Sequence, residues 1–438
     1  ARINYGFKSR YYIDASWRTD GSSRFHPSDR WGHFWSVGAS WRISEEQFME
    51  NTRQWLDNLT LKVSYGVQGN DNLGTYYAWQ GLYDYTWPNA TDAGAFVDKL
   101  ENRKVTWEKN GNLNAGIEAT MFGGRLGVSV EYYNRKTRDM LLNSPLPIST
   151  GFTGFNDNVG SLRNQGLEVS LRGTILDKRD FRWDATLMGS FNRNKVLSLT
   201  GGQDVITSGI RVIEVGRPIY TFYLPKTAGV DPATGKQLYY AYWTQTVNDE
   251  GALVNTRCDE YITDNVAMAT LSKYYHESRE PKLFGSIGST FTILKNIDVS
   301  FLTTYSIGGW VYDGLYNGSM YVQYAGNNWH KNAKRRWQKP GDKTDVPMLE
   351  VGGSYATASN SLIDASYFAI KNITVGYTLP KRWLKKIDIE SLRIYATLDN
   401  IAMFNHMDGM DPQYNFTGSV AYSYTPSRVI AFGIDLNF

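Results

Sequence analysis

Cysteine is almost missing from this 438-residue sequence, where Cys258 stands alone. One thiol forms no internal disulfide, and it excludes a zinc site built from several cysteines. An excess of one charge is missing too: 46 Lys and Arg face 43 Asp and Glu, a formal net charge of +3. That balance argues against wholesale nucleic-acid binding, which needs basic surface to release counterions. No apolar run approaches the roughly 18 residues that a membrane helix needs. The first residues, Ala1-Arg2-Ile3-Asn4-Tyr5, lack an initiator Met and the basic and apolar segments of a signal peptide. They look like the middle of a strand, as expected of a chain that lost a leader or begins partway through a longer protein. Aromatics, by contrast, are plentiful, with 19 Phe, 14 Trp and 30 Tyr making 14% of the chain. So much apolar surface excludes a disordered chain, because its burial offsets the entropy of ordering. By length alone, two or three ordinary domains or one large one would fit.

What fills the sequence is alternation of period two. Leu59, Leu61, Val63, Tyr65 and Val67 alternate with Thr60, Lys62, Ser64 and Gly66, and Leu126, Val128 and Val130 alternate with Gly127, Ser129 and Glu131. Successive strand side chains point to opposite faces, so each such segment has one apolar and one polar face. Helical periodicity is confined to short turns near 45–56 and 381–386. The reading is an all-β chain with twelve strands, near 2–19, 32–43, 58–67, 112–121, 125–142, 160–174, 181–197, 282–293, 296–312, 366–380, 391–402 and 427–438. The last of these alternates up to a terminal Phe438, which resembles the C-terminal signature of bacterial outer-membrane barrels.

Most of the links between these strands alternate between long and short. Long ones near 68–111, 198–281 and 313–365 are separated by short ones such as Gly123-Gly124 and Lys295-Asn296. A Greek-key sandwich has no reason to sort its links this way. A transmembrane antiparallel up-and-down β-barrel does, with short periplasmic turns and longer extracellular loops. On this reading the first strand rises from the short-turn end and the last descends to it. Trp31, Phe34, Trp35, Trp41, Tyr132, Tyr133, Trp183, Tyr367, Phe368 and Trp383, near strand ends, are candidates for interfacial girdles.

Several phrases resemble SusC-like TonB-dependent transporters of the Bacteroidetes (the SusC/RagA family). They include RTDGSSRF (18–25) followed by WGHF (31–34), YYNRKTRDMLL (132–142), NVGSLRNQGLEVSL (158–171) and GVDPATG (229–235). Further on come DASYFAIKNITVGYTLP (364–380), GMDP (409–412) and PSRVIAFGIDLNF (426–438), so the likeness runs in order along nearly the whole chain. Trp35 departs from the family phrase, which has a proline there. The resemblance implies that these strands are the C-terminal part of a 22-stranded barrel. The plug domain and TonB box would lie outside residues 1–438. It also implies a SusD-like surface lipoprotein as a lid, energy from TonB–ExbB–ExbD through the N-terminal part, and import of oligosaccharides or peptides. A self-contained 12-stranded outer-membrane pore or enzyme is the alternative.

Chemistry-bearing motifs are scarce. His26, His33, His276, His330 and His406 form no HxxxH or HxH pair, and no GxSxG or phosphate-binding loop occurs. No enzyme activity, metal or cofactor is expected. Asp408, Asp411 and Asn248-Asp249-Glu250 have oxygens but not the spacing of a calcium loop. The basic cluster Lys331, Lys334, Arg335 and Arg336 reads as a solvated loop or as contacts to outer-membrane lipid and lipopolysaccharide, not nucleic acid. The aromatic long links are more suggestive. Tyr239, Tyr240, Tyr242, Trp243, Tyr321, Tyr324 and Trp329 are the candidate ligand or partner contacts, because exposed rings in loops need a ligand, a partner or each other.

Overall fold

The computed structural model describes residues 1–199, 204–320, 326, 328–350, 353–385, 389–413, 416–420 and 423–438. Its main feature is one antiparallel sheet of thirteen strands in unbroken chain order. They are β1 (Arg2–Phe7), β2 (Tyr11–Gly21), β3 (Trp31–Arg42), β4 (Leu56–Asn70), β5 (Glu108–Met121), β6 (Leu126–Arg138) and β7 (Ser161–Lys178). The series continues with β8 (Phe181–Ser198), β9 (Leu283–Ile293), β10 (Ile297–Ile307), β11 (Tyr367–Thr378), β12 (Ser391–Asn405) and β13 (Val429–Asn437).

The expected count of twelve is therefore corrected to thirteen. The segment read as one strand over 2–19 is a hairpin, turned by Lys8 and Ser9 at φ +51° and +52°. Phe7 pairs with Tyr11, so the apolar phase continues unbroken across the turn, and no Gly, Asn or Pro marks it. The extra reversal also corrects the direction of the first strand. β1 runs toward the short-turn end, as β13 does. Among the described residues β1 pairs only with β2, and β13 only with β12, so the sheet is open. A self-contained 12-stranded closed barrel does not fit this topology.

Register explains which face is which. Leu61, Ile117, Val130 and Val169 stand side by side across four strands, and Val128, Leu171, Leu187 and Ile287 form a parallel row. The adjacent row on the other face runs Ser40, Lys62, Gly116, Glu131, Glu168 and Ser190. Ile117 and Leu187 are exposed, as suits side chains that meet lipid, whereas Lys62 and Glu118 pair on the polar face. Rings gather near the short-turn end of the apolar face. Tyr11 stacks with Phe7 and Trp41, both at 6.5 Å, and donates to Glu46 Oε1 at 2.6 Å. Trp183 stacks on Phe291 at 5.7 Å and donates to Ser289 Oγ at 2.6 Å. Phe34 and Tyr133 are not girdle residues. Their parity turns Phe34 into a buried cluster and Tyr133 to the polar face, where its hydroxyl donates to Asn192 at 2.7 Å.

Polar-face side chains also tie strands together. Arg393 on β12 reaches Asp298 on β10 with two hydrogen bonds, at 2.6 and 3.0 Å, and Asp435 on β13 at 3.3 Å. Gly376 and Gly433 are the strand neighbours that leave room for Arg393 and for the Tyr395 ring beneath it.

Candidate ligand site in the loop layer

The long links fold rather than trail. At the first of them, the RTDGSSRF phrase closes on the link 71–107. Ser22 donates to Asp71 at 2.7 Å, and the Trp107 indole donates to the Arg30 carbonyl at 2.8 Å. Phe25, Phe34, Val105 and Trp107 bury one another there. The three last links combine into one layer. In the link 199–282, a four-stranded sheet of Val205–Ser208, Arg211–Glu214, Thr221–Pro225 and Lys273–Ser278 stands beside a three-stranded one of Thr227–Val230, Gln237–Val247 and Leu253–Thr263. In the link 308–366, Trp310–Asp313 pairs with Leu362–Asp364 and, in parallel, with Ser419–Val420 of the link 406–428. Phe222, Leu224, Tyr312 and Leu362 form one shared core, and Val311, Ala365, Met407, Met410 and Val420 form another. Arg279 donates to the Pro412 carbonyl at 2.7 Å, and Lys331 pairs with Asp408 at 3.3 Å, which adds polar ties.

The candidate aromatics divide by position. Tyr239 is 1% exposed, packed with Ala269, Ala356 and Ala358, and its hydroxyl accepts the Ala356 N–H at 3.1 Å. Burial pushes its phenol up to about 12. Tyr240 lies under Lys226 Nζ at 4.4 Å. Tyr242 donates to the Lys273 carbonyl at 2.6 Å, meets Tyr274 edge-on at 5.3 Å and carries Arg257 over its ring at 5.2 Å. Its phenol too is pushed up to about 12, chiefly by burial. Trp243, half-buried, shares the Ser272 Oγ acceptor with Tyr242 through its backbone N–H at 3.2 Å. Trp329 packs elsewhere, against Met320, Ala333 and Val346. Tyr321 and Tyr324 lie outside the described residues.

The structure thus gathers Tyr240 and Tyr242 with three tyrosines that the sequence reading missed: Tyr223, Tyr274 and Tyr275. Tyr223 and Tyr275 are 4.9 Å apart, and Arg217 sits 3.8 Å over the Tyr275 ring. Beside this array a cavity of about 700 Å³ opens between two of the links, lined by Arg217, Lys226, Tyr275, His276, Glu277 and Trp310 among others. His276 faces the Leu224 carbonyl at 3.2 Å, and burial lowers its basicity, which favours the neutral ring. These residues come from separate strands and carry no spacing signal. A hint was the adjacency of Tyr274, Tyr275 and His276, a run as aromatic as the one singled out. Among the described residues no group of three His, Cys, Asp or Glu is placed to hold a metal ion.

A family model described as "TonB dependent receptor-like, beta-barrel" matches residues 1–401. The chain belongs to this family. Among curated relatives it is 28% identical to the TonB-dependent receptor SusC of Bacteroides thetaiotaomicron, over 100% of this chain and 43% of that protein. It is 29% identical to the TonB-dependent receptor P26 of Formosa agariphila, over 100% of this chain and 45% of that one. A solved structure of the RagAB peptide transporter superposes with a TM-score of 0.85 at 30% identity, covering 100% of this chain and 47% of the other. The chain therefore spans about half the length of the proteins it matches. As a SusC/RagA-type barrel wall it lies in the bacterial outer membrane and crosses it many times. Its relatives are receptors and transporters, not enzymes.

Proposed function

We propose that this chain supplies the C-terminal part of the barrel of a transporter that imports oligosaccharides or peptides. A plug domain and TonB box, contributed from outside residues 1–438, would couple it to TonB–ExbB–ExbD. A SusD-like lipoprotein would close over the loop layer on the extracellular side, with the ligand held between them. The observation that carries this reading is the layer itself. Three links bury shared cores at one end of the wall, whereas the other end has tight turns. Ordering so much chain is costly in entropy, and a passive pore has no use for it. Of the candidate contacts, Tyr240, Tyr242, Trp243 and Trp329 keep exposed area for a ligand or lid. Lys334, which is exposed and has no ion pair among the described residues, is the member of the basic cluster that would meet lipopolysaccharide.

The test is uptake of labelled oligosaccharide and peptide pools by cells carrying the intact protein. Uptake of one pool should fall to the background of a deletion strain when TonB is inactivated. Equal uptake with and without TonB would overturn the reading.

A further inference from the structure

Two guanidinium groups of the loop layer face no carboxylate among the described residues. Arg211 opens the strand Arg211–Glu214 and pairs with Phe222, and the backbone N–H of Arg279, just past Lys273–Ser278, donates to the Tyr220 carbonyl at 3.2 Å. These two strands flank Thr221–Pro225 on either side. The sheet thus brings Arg211 and Arg279 to one end, with Tyr220 between them. The link 406–428 reaches both. Arg211 donates to Thr417 Oγ1 at 3.2 Å, and Arg279 donates to the Pro412 carbonyl at 2.7 Å. The stem of Arg279 packs so closely on Gly418 that a β-carbon there would lie 2.7 Å from it. Thr417 and Gly418 are consecutive, so the two side chains meet neighbouring positions of one short stretch.

A guanidinium has five donors, and each of these places one of them on the described residues. The Nε of each is buried without an acceptor. Burial lowers the basicity of both, and the groups facing them that favour the charge are phenols, Tyr220 at Arg211 and Tyr367 at Arg279. The acids close by in the chain are otherwise engaged. Glu280 accepts the Asn194 N–H at 3.1 Å, Asp411 accepts the Gln413 N–H at 2.8 Å, and Glu214 pairs with Arg217. A tie to a single carbonyl or hydroxyl needs only one neutral donor, which carries no cost of a buried charge. Two unneutralised forks side by side suit an oxyanion, above all a planar carboxylate that takes parallel N–H bonds. Neither arginine is fully buried, and Phe416, edge-on to Tyr220 at 5.5 Å, is 79% exposed, so the pair lies at the surface of the layer.

We propose that Arg211 and Arg279 form an anion site that holds a carboxylate of the cargo beside Tyr220. The inference rests on the transport reading and narrows its cargo to an acidic one, a peptide with Asp or Glu or an oligosaccharide with a uronic acid.

The experiment measures ligand retention by the intact outer-membrane complex in detergent, read by mass spectrometry. One probe is a pool of acetylated, amidated tetrapeptides with Glu or Gln at a single position. The other is an equimolar mixture of tetragalacturonate and maltotetraose. In at least one of them the carboxylate members should be retained about tenfold better than their neutral counterparts, the size of one charge-assisted contact. The probe in which this happens identifies the source of the carboxylate. Arg211→Gln and Arg279→Gln should each lower that ratio about tenfold while neutral members are retained as before, and Arg211→Lys should keep more of it than Arg211→Gln. Heat-modifiable migration of all three should match that of the parent. Equal retention of charged and neutral members by the parent, retention of neither, an unchanged ratio in either glutamine variant, or a loss that strikes charged and neutral members alike would each overturn the proposal. TonB-dependent uptake with no preference for acidic ligands would overturn this inference alone. Loss of all TonB dependence would fail the transport reading instead.

Discussion

At the residue scale, one run shows how neighbouring tyrosines acquire different work. Tyr239 and Ala241 face the interior of the loop layer, whereas Tyr240 and Tyr242 face cations, because the strand Gln237–Val247 alternates. Tyr239→Phe would leave the Ala356 N–H without its acceptor in a buried place. The expected cost is about 1–3 kcal/mol of loop-layer stability, read as faster hydrogen exchange across 353–358 with the wall strands unchanged. The same phenol gives an alkaline signature. Its folded value of about 12 lies above the ordinary 10, so its contribution is whole below pH 10 and is lost as pH rises toward 12. The loop layer should open over that window, followed by hydrogen exchange, and Tyr239→Phe should remove this residue's share of the dependence. Sequence could single out the run as aromatic. It could not say which rings are buried, because parity within a loop strand depends on partners far along the chain, such as Ala356.

At the element scale, the wall was legible and its first turn was not. Alternation located β4 to β13 to within a few residues, since each strand has one lipid face and one polar face. The Lys8–Ser9 turn escaped because it keeps the phase and contains no Gly, Asn or Pro. The strands inside the long links escaped for a different reason. They are short, and their partners lie in other links, as Tyr312 does with Ser419. Arg393 illustrates a tie that spacing hides, since its two carboxylates are 95 and 42 residues away. Arg393→Met is expected to cost about 1–3 kcal/mol, tempered by partial solvent access, and to lower the temperature at which the folded barrel loses its fast migration on gels. Asp435→Asn should cost less, because Asp435 is the more exposed partner, and its bond is the longer.

At the scale of the whole molecule, the two faces of the wall make a paired prediction. Leu171 and Ser170 are neighbours on β7, one in the apolar row and one on the polar face. Leu171→Arg should cost about 2–4 kcal/mol if it lies near the bilayer midplane, and it should reduce the amount of assembled protein in outer-membrane fractions. Ser170→Arg should leave assembly near the parent level. An inverted result would exchange the assignment of lipid and lumen.

The odd strand count sets a rule for what can complete this wall. Because β1 and β13 point the same way, a strand that joins either one in antiparallel fashion must point the other way, so a bridge between them contains an odd number of strands. Two copies of this chain inserted alike could meet only through parallel seams. Antiparallel seams, β1 to β1 and β13 to β13, would require one copy upside down, with its loop layer in the periplasm. Direct contact of β13 with β1 would likewise make a parallel seam, so antiparallel closure takes an odd number of strands besides these thirteen.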